Sequence, residues 1–260
     1  MCRIMLVVFL VVSVYGDSVF SWGKGKEVAV CLTYDDGLKS HIDSVIPALN
    51  KYGLKGTFFM QSMRIDSSNF KVWRKASKRG HELGNHSIFH PCPSCHNWVL
   101  PAFSTDNYTL GRMIEELKVA NKFLYLIDGK SERSYAYPCC VTTVGGIDYS
   151  DKLGSMFISA RSGGKVVLKT MRWFDIYNVP AFDVSQNSGR ELIEYVESNM
   201  KNGTMAIFMF HGIGSGYLKV SGKAHDELLR YLRKNKKRVW VSTYSDVMKY
   251  VKLERKRVGW

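Results

Sequence analysis

The sequence predicts an α/β fold whose parallel sheet is curled toward a barrel, and three observations lead there. Strand-like and helix-like segments alternate at least six times along one chain, the pattern of a parallel sheet covered by helices, with enough units to favour a barrel over an open sheet. The strands at 28–34 and 205–210 are continuous apolar runs, as strands buried on both faces are. Asp35 with Asp36, His86 with His90, and His211 each follow a strand directly, on the rim where parallel barrels carry their chemistry. With 260 residues, 45% hydrophobic and 23% charged, the chain can bury a large core and is not a disordered or repetitive polymer.

The first strand stops at Asp35, Asp36 and Gly37, where the chain must turn. Neighbouring side chains on a strand point to opposite faces, so the two carboxylates can share one centre only if the turn begins between them. Residues 40–52 carry Ile42, Val45, Ile46 and Leu49 at helical spacing and stop at Gly53, a C-cap signal. A second strand is predicted at 56–60, a helix at 69–79 ended by Gly80, and a short strand at 82–85 leading into His86. Then come a long amphipathic helix at 108–127, strands at 134–137 and 156–160, and a helix at 191–200 ended by Gly203. The apolar strand 205–210, a helix at 224–234, a strand at 239–241 and a helix at 245–253 complete the chain. No internal repeat or linker divides residues 17–260, which read as one domain.

Residues 1–16 have the proportions of a secretory signal peptide, with Arg3, an apolar segment at 4–14 and a small residue at Gly16. An uncleaved anchor is the competing reading, but the segment is short for a span. The expected location is secreted or periplasmic, with no stable membrane insertion. The formal charge is +14. Its densest basic run, 233–238, follows an amphipathic segment and reads as a solvated helix end. An exported protein seldom meets nucleic acid, so the charge points to solubility and to anionic cell-surface polymers. Of six cysteines, Cys2 leaves with the signal peptide and Cys31 lies in a buried strand. Cys92, Cys95, Cys139 and Cys140 are expected to form bridges between the first pair and the second, with a four-thiolate zinc site as the alternative.

His86 and His90 stand four residues apart, a separation that one helical turn would bring to one face. Asp36 completes a set of two imidazoles and one carboxylate, which leaves open positions for water and substrate. Zinc is the first choice of ion, and cobalt, manganese or iron would also suit these donors.

Together these motifs resemble the polysaccharide deacetylase family, the NodB-homology carbohydrate esterases. Thr33-Tyr34-Asp35-Asp36-Gly37 is similar to the family's Thr-Phe-Asp-Asp-Gly, and His86-Ser87-Ile88-Phe89-His90 to its His-Ser/Thr-x-x-His. Ile207-Phe208-Met209-Phe210-His211 resembles the last motif, a leucine-rich strand ending in histidine. The resemblance spans roughly residues 27–251 and implies a distorted, incomplete (β/α) barrel. It implies Asp35 as general base, Asp36, His86 and His90 as metal ligands, His211 as general acid, and the amide of Cys139, after Pro138, as an oxyanion donor. The implied activity is metal-dependent hydrolysis of N-acetyl or O-acetyl groups on a polysaccharide or oligosaccharide.

Two departures from the family pattern stand out. Its third motif has arginine two residues before the proline, where this chain has Ala136, and Arg161 is the candidate to supply the missing cation. Its fourth motif, an aspartate partner for the acid histidine, is not recognisable, and Asp175 and Asp183 are the candidates. His41, His81, His96 and His225 read as surface or supporting residues, and Trp98 and Trp173 as rim tryptophans suited to stacking on sugars. Two other functions remain open at this point: a small-molecule amide or C–N hydrolase on the same barrel, and a catalytically silent carbohydrate-binding protein.

Overall fold

A computed structural model describes residues 19–164 and 167–260. The expected signal peptide, 1–16, lies outside the described residues. Strand β1 (Val28–Asp35) is followed by a π-helical turn, His41–Val45, that runs into α1 (Ile46–Tyr52). Gly53 ends that helix at φ 65°, the left-handed conformation that glycine adopts without a Cβ penalty. Next come β2 (Thr57–Met60), α2 (Phe70–Lys78), β3 (Glu82–Asn85) and α3 (Leu110–Asp128), whose N-terminus is capped by the Thr109 hydroxyl. The middle of the chain is less regular. Strand β4 (Tyr135–Ala136), the hairpin of β5 (Thr143–Val144) and β6 (Ile147–Asp148), β7 (Ala160–Arg161) and β8 (Phe182–Asp183) are two residues each. The last third restores α4 (Gly189–Lys201), β9 (Met205–Phe210), α5 (Gly222–Lys234), β10 (Val239–Ser242) and α6 (Tyr244–Arg257).

Eight strands form one parallel sheet in the order β7-β4-β3-β2-β1-β9-β8, with β10 also paired to β1. β1 is central because it is long enough to be shared: its first half pairs with β10 and its end with β2, while β9 runs along most of the other edge. The sheet curls into an incomplete (β/α) barrel, as expected.

The two faces of the sheet can be read from alternation. Val28, Val30, Leu32 and Tyr34 of β1 join Phe208 and Phe210 of β9 in a core shared with α1, α4 and α5. Ala29 and Cys31 join Ile207 and Met209 in a second core on the other face, together with Tyr244, Val247 and Met248 of α6. Asp35 and His211 continue the odd-numbered series, so the polar rim grows out of this second, inner face. Gly84 fits the same face, since a Cβ there would sit 2.4 Å from the Phe59 ring.

Three expectations need correction. The strand expected at 156–160 is confined to Ala160–Arg161, because Ser150–Ser155 winds into 3-10 turns and β4 offers only two residues to pair with. Of the two bridges expected, Cys92–Cys139 is present, whereas Cys95 is an exposed thiol and Cys140 a partly buried one. The bridge also removes two of the four thiolates of the zinc alternative. Of the surface and supporting readings of His41, His81 and His225, the surface one falls: all three are buried, burial lowers each to a pKa of about 4, and they serve as neutral hydrogen-bonding groups. No helix of the described residues is long and apolar enough to cross a membrane.

Candidate active site

The turn between the two aspartates does form. Asp36 adopts φ 76° while its amide donates to the Phe59 carbonyl at 2.9 Å, so both carboxylates reach the same centre from opposite sides of one peptide. Oδ1 of Asp36 lies 3.5 Å from Nε2 of His86 and 3.5 Å from Nε2 of His90. These three atoms lie within 4.8 Å of one another. Tyr217, on the glycine-rich loop after β9, donates its hydroxyl to the other oxygen, Oδ2, at 2.5 Å. Burial alone would raise Asp36, but the imidazoles of His86 and His90, the Tyr217 hydroxyl and the His211 ring together hold it down at about 2.

The two imidazoles are not brought together by a helical turn. Residues 86–90 form an irregular loop in which Ser87 and His90 take left-handed φ of 62° and 56°. Side chains hold that strained path in place. Asn85 accepts from the Ser87 amide, Ser87 Oγ from the His90 amide, and Glu116 of α3 from the amides of both Ile88 and Phe89. Glu116 is itself fixed by the Tyr108 hydroxyl. Nδ1 of His86 donates to the Ala136 carbonyl at 2.7 Å, which leaves the Nε2 lone pair toward Asp36. Burial, with the neighbouring His86 adding to it, lowers His90 to about 4. The donor set therefore fits a divalent ion.

Asp35 is buried, and Arg161 donates to its Oδ2 at 2.5 Å from a side chain with no exposure at all. Arg161 belongs to β7, where it is the direct register partner of Ala136 in β4. The guanidinium thus comes from the strand beside the one where the motif would carry it. Oδ1 of Asp35 is buried without a hydrogen-bond partner among the described residues, leaving an acceptor turned to no protein group.

His211 lies 4.0 Å from Asp36 through Nε2. Its backbone carbonyl accepts from His41 Nε2 at 2.8 Å, and His41 Nδ1 accepts from the Leu38 amide, so the loop after β1 fixes the end of β9. Asp183 lines the same cleft, and its Oδ1 and His211 Nδ1 are both buried without a hydrogen-bond partner among the described residues. Asp175, the other candidate, instead accepts from the Tyr177 amide in a loop away from the cleft. Cys139 lines the cleft at φ 50°, pinned by its bridge to Cys92, whose sulfur is 3.4 Å from His90 Nδ1.

The cleft measures about 670 Å³ and is open, with Trp98 59% exposed at its rim and stacked on His96. Trp173 does not line it. Sequence reasoning missed Tyr217, Gln61, Arg64 and Glu116. For Tyr217 the available signal was the run Gly212-Ile213-Gly214-Ser215-Gly216 after His211, which marks a rim loop without saying which side chain turns back.

Comparison with known proteins decides the family. The polysaccharide deacetylase profile matches residues 23–157. The chain belongs to the polysaccharide deacetylase family. The peptidoglycan-N-acetylmuramic acid deacetylase PdaA of Bacillus subtilis is 28% identical over 120 residues, which are 46% of this chain and 41% of that protein. The bifunctional xylanase/deacetylase of Pseudobutyrivibrio xylanivorans is 36% identical over 61 residues, 24% of this chain and 10% of that one. The matched stretches span less than half the length of these curated relatives. Among solved structures, a putative polysaccharide deacetylase from Mycobacterium smegmatis superposes with a TM-score of 0.65 at 14% identity, covering 92% of this chain and 96% of that one. The Xyl-CE4 domain of a xylanase from the hindgut metagenome of Trinervitermes trinervoides gives 0.57 at 17%, covering 86% and 91%. These superpositions cover a larger share of the chain than the stretch that the family profile matches, residues 23–157.

Proposed function

We propose that the protein is a secreted or periplasmic, metal-dependent deacetylase that hydrolyses N-acetyl, or alternatively O-acetyl, groups of a polysaccharide or oligosaccharide. The observation that carries this reading is the convergence of Asp36 Oδ1, His86 Nε2 and His90 Nε2 beside an aspartate, Asp35, that is held by a buried arginine. Asp36, His86 and His90 would hold a divalent ion, zinc first and cobalt or manganese next, which supplies a Lewis acid and an acidified water. On this reading Asp35, fixed by Arg161, accepts the proton of the attacking water through its free oxygen. His211 returns a proton to the departing amine or alkoxide. The Cys139 amide, on a loop tied down by the bridge to Cys92, serves the developing oxyanion. The relatives' names span muramic acid, glucosamine and xylan substrates, so a polymeric acetylated carbohydrate is the substrate class. The open cleft with its exposed Trp98 favours a polymer over a small molecule.

The test is acetate release from a panel of acetylated glycans by metal-stripped protein, with zinc, cobalt or manganese added back. Release that requires metal and disappears in Asp35→Asn and Asp36→Ala is the expected result. A protein that binds metal through the triad yet releases acetate from no glycan would sink the proposal.

A further inference from the structure

We infer that Arg64 makes this site selective for acidic glycans, by holding a carboxylate borne on the acetylated sugar or on the unit next to it. The inference rests on the deacetylase reading and narrows its substrate class. Arg64 closes a short turn, Ser62–Arg64, that follows β2. Two backbone hydrogen bonds tie this turn to the metal-ligand loop, Ser62 N to Ser87 O at 3.0 Å and Met63 N to Ile88 O at 3.4 Å. Its side chain lines the same cleft as Asp35, Asp36, His86, His90 and His211.

The guanidinium is oriented but unspent. Nε donates at 2.6 Å to Oε1 of Gln61, which is 7% exposed and therefore a firm anchor. No carboxylate lies within ion-pair distance of Arg64 among the described residues, whereas Arg161, buried behind the cleft, is taken by Asp35. A guanidinium held through Nε keeps its two terminal nitrogens as a fork, the geometry that matches a carboxylate. Asp183, the cleft carboxylate on the β8 side, ends a strand three places from β2 in the sheet. The β2 side of the cleft therefore carries the Arg64 cation and the β8 side the Asp183 carboxylate. The chain's +14 charge would draw an anionic polymer toward the cationic end.

The experiment uses two N-acetylated oligosaccharides of equal length, one neutral and one with a carboxylate on every second sugar. Metal-loaded wild type is expected to show kcat/KM about tenfold or more higher on the acidic one, the scale of a hydrogen-bonded charge pair. Arg64→Gln should bring that ratio close to one, Arg64→Glu should invert it, and Arg64→Lys should keep part of it. Calorimetry on Asp35→Asn protein, with and without Arg64→Gln, reads the same preference as binding, independently of turnover. A ratio that Arg64→Gln leaves unchanged, or wild-type protein that prefers the neutral glycan, overturns the inference while leaving a deacetylase in place. Absence of acetate from both glycans overturns the deacetylase reading, and the calorimetric preference then decides the role of Arg64 alone.

Discussion

The two walls of the cleft are built by different means. On the wall formed by β1, β2 and β3, Asp35, Asp36, His86 and His90 end or follow strands of four or more residues and belong to two contiguous motifs. On the wall formed by residues 131–183 the sheet strands shrink to two residues, and the parts arrive separately: Cys139 from a loop, Arg161 from β7 and Asp183 from β8. The difference follows from what each wall must do. Bringing three donor atoms together tolerates little error, and the register of β1 with the hydrogen bonds from Asn85, Ser87 and Glu116 supplies that accuracy. A single cation for Asp35 has a looser requirement, because an arginine side chain can span one strand spacing. Ala136 and Arg161 are register partners, so the guanidinium changes strand without changing destination.

The largest test of this contrast is to move the arginine back. Arg161→Ala leaves Asp35 buried without its charge partner and should destabilise the fold by about 3–5 kcal/mol, read in chemical denaturation. If Asp35 is the proposed base, acetate release from the folded fraction should fall about 100-fold as it loses its orientation. Adding Ala136→Arg to that variant places a guanidinium on the neighbouring strand and should recover most of both losses. A double variant no better than Arg161→Ala would show that the strand of origin matters after all, and that the two walls are equally exacting.

The bridge between the walls comes next in size. Cys92 follows the loop that carries His86 and His90, and Cys139 the short β4, and their bridge spans a sequence separation of 47. Closing a loop of that length removes unfolded-state entropy worth about 4 kcal/mol on the chain-entropy model. Cys139→Ser should therefore lower stability by up to that amount, and reductant should lower wild type to match. Reductant that leaves the wild-type melting temperature unchanged would mean that short strands alone hold the second wall.

The same contrast explains what could be read from the sequence. β1, β9 and the helices between 46 and 128 were legible because apolar runs, helical spacing and glycine stops are local signals, and Asp35, Asp36, His86 and His90 follow them directly. β8 and the β5/β6 hairpin were not, because a two-residue strand has no period to detect. Arg161 could be named only from its place in the chain, since its pairing with Asp35 spans 126 positions. The helical turn expected between His86 and His90 was wrong for a related reason. The loop's path is set by Asn85, Ser87 and Glu116, the last from a helix that begins twenty residues after His90.

Tyr217 gives the smallest effect and the finest test, because it reaches the first wall from outside both. Its hydroxyl occupies the Asp36 oxygen that faces away from His86 and His90, which leaves Oδ1 as the carboxylate's free donor. Tyr217→Phe removes one hydrogen bond to a charged group without emptying the core, since the residue is 46% exposed. Metal affinity should fall about tenfold, the usual size for a group that orients a ligand, with unfolding unchanged within about 0.5 kcal/mol. Titrating zinc into stripped protein against a competing chelator measures it directly. Wild-type affinity in Tyr217→Phe would mean that the strand registers and the Glu116 clamp already place the triad, and that the phenol serves the substrate side of the cleft; a tenfold loss would make the glycine-rich loop after His211 part of the first wall.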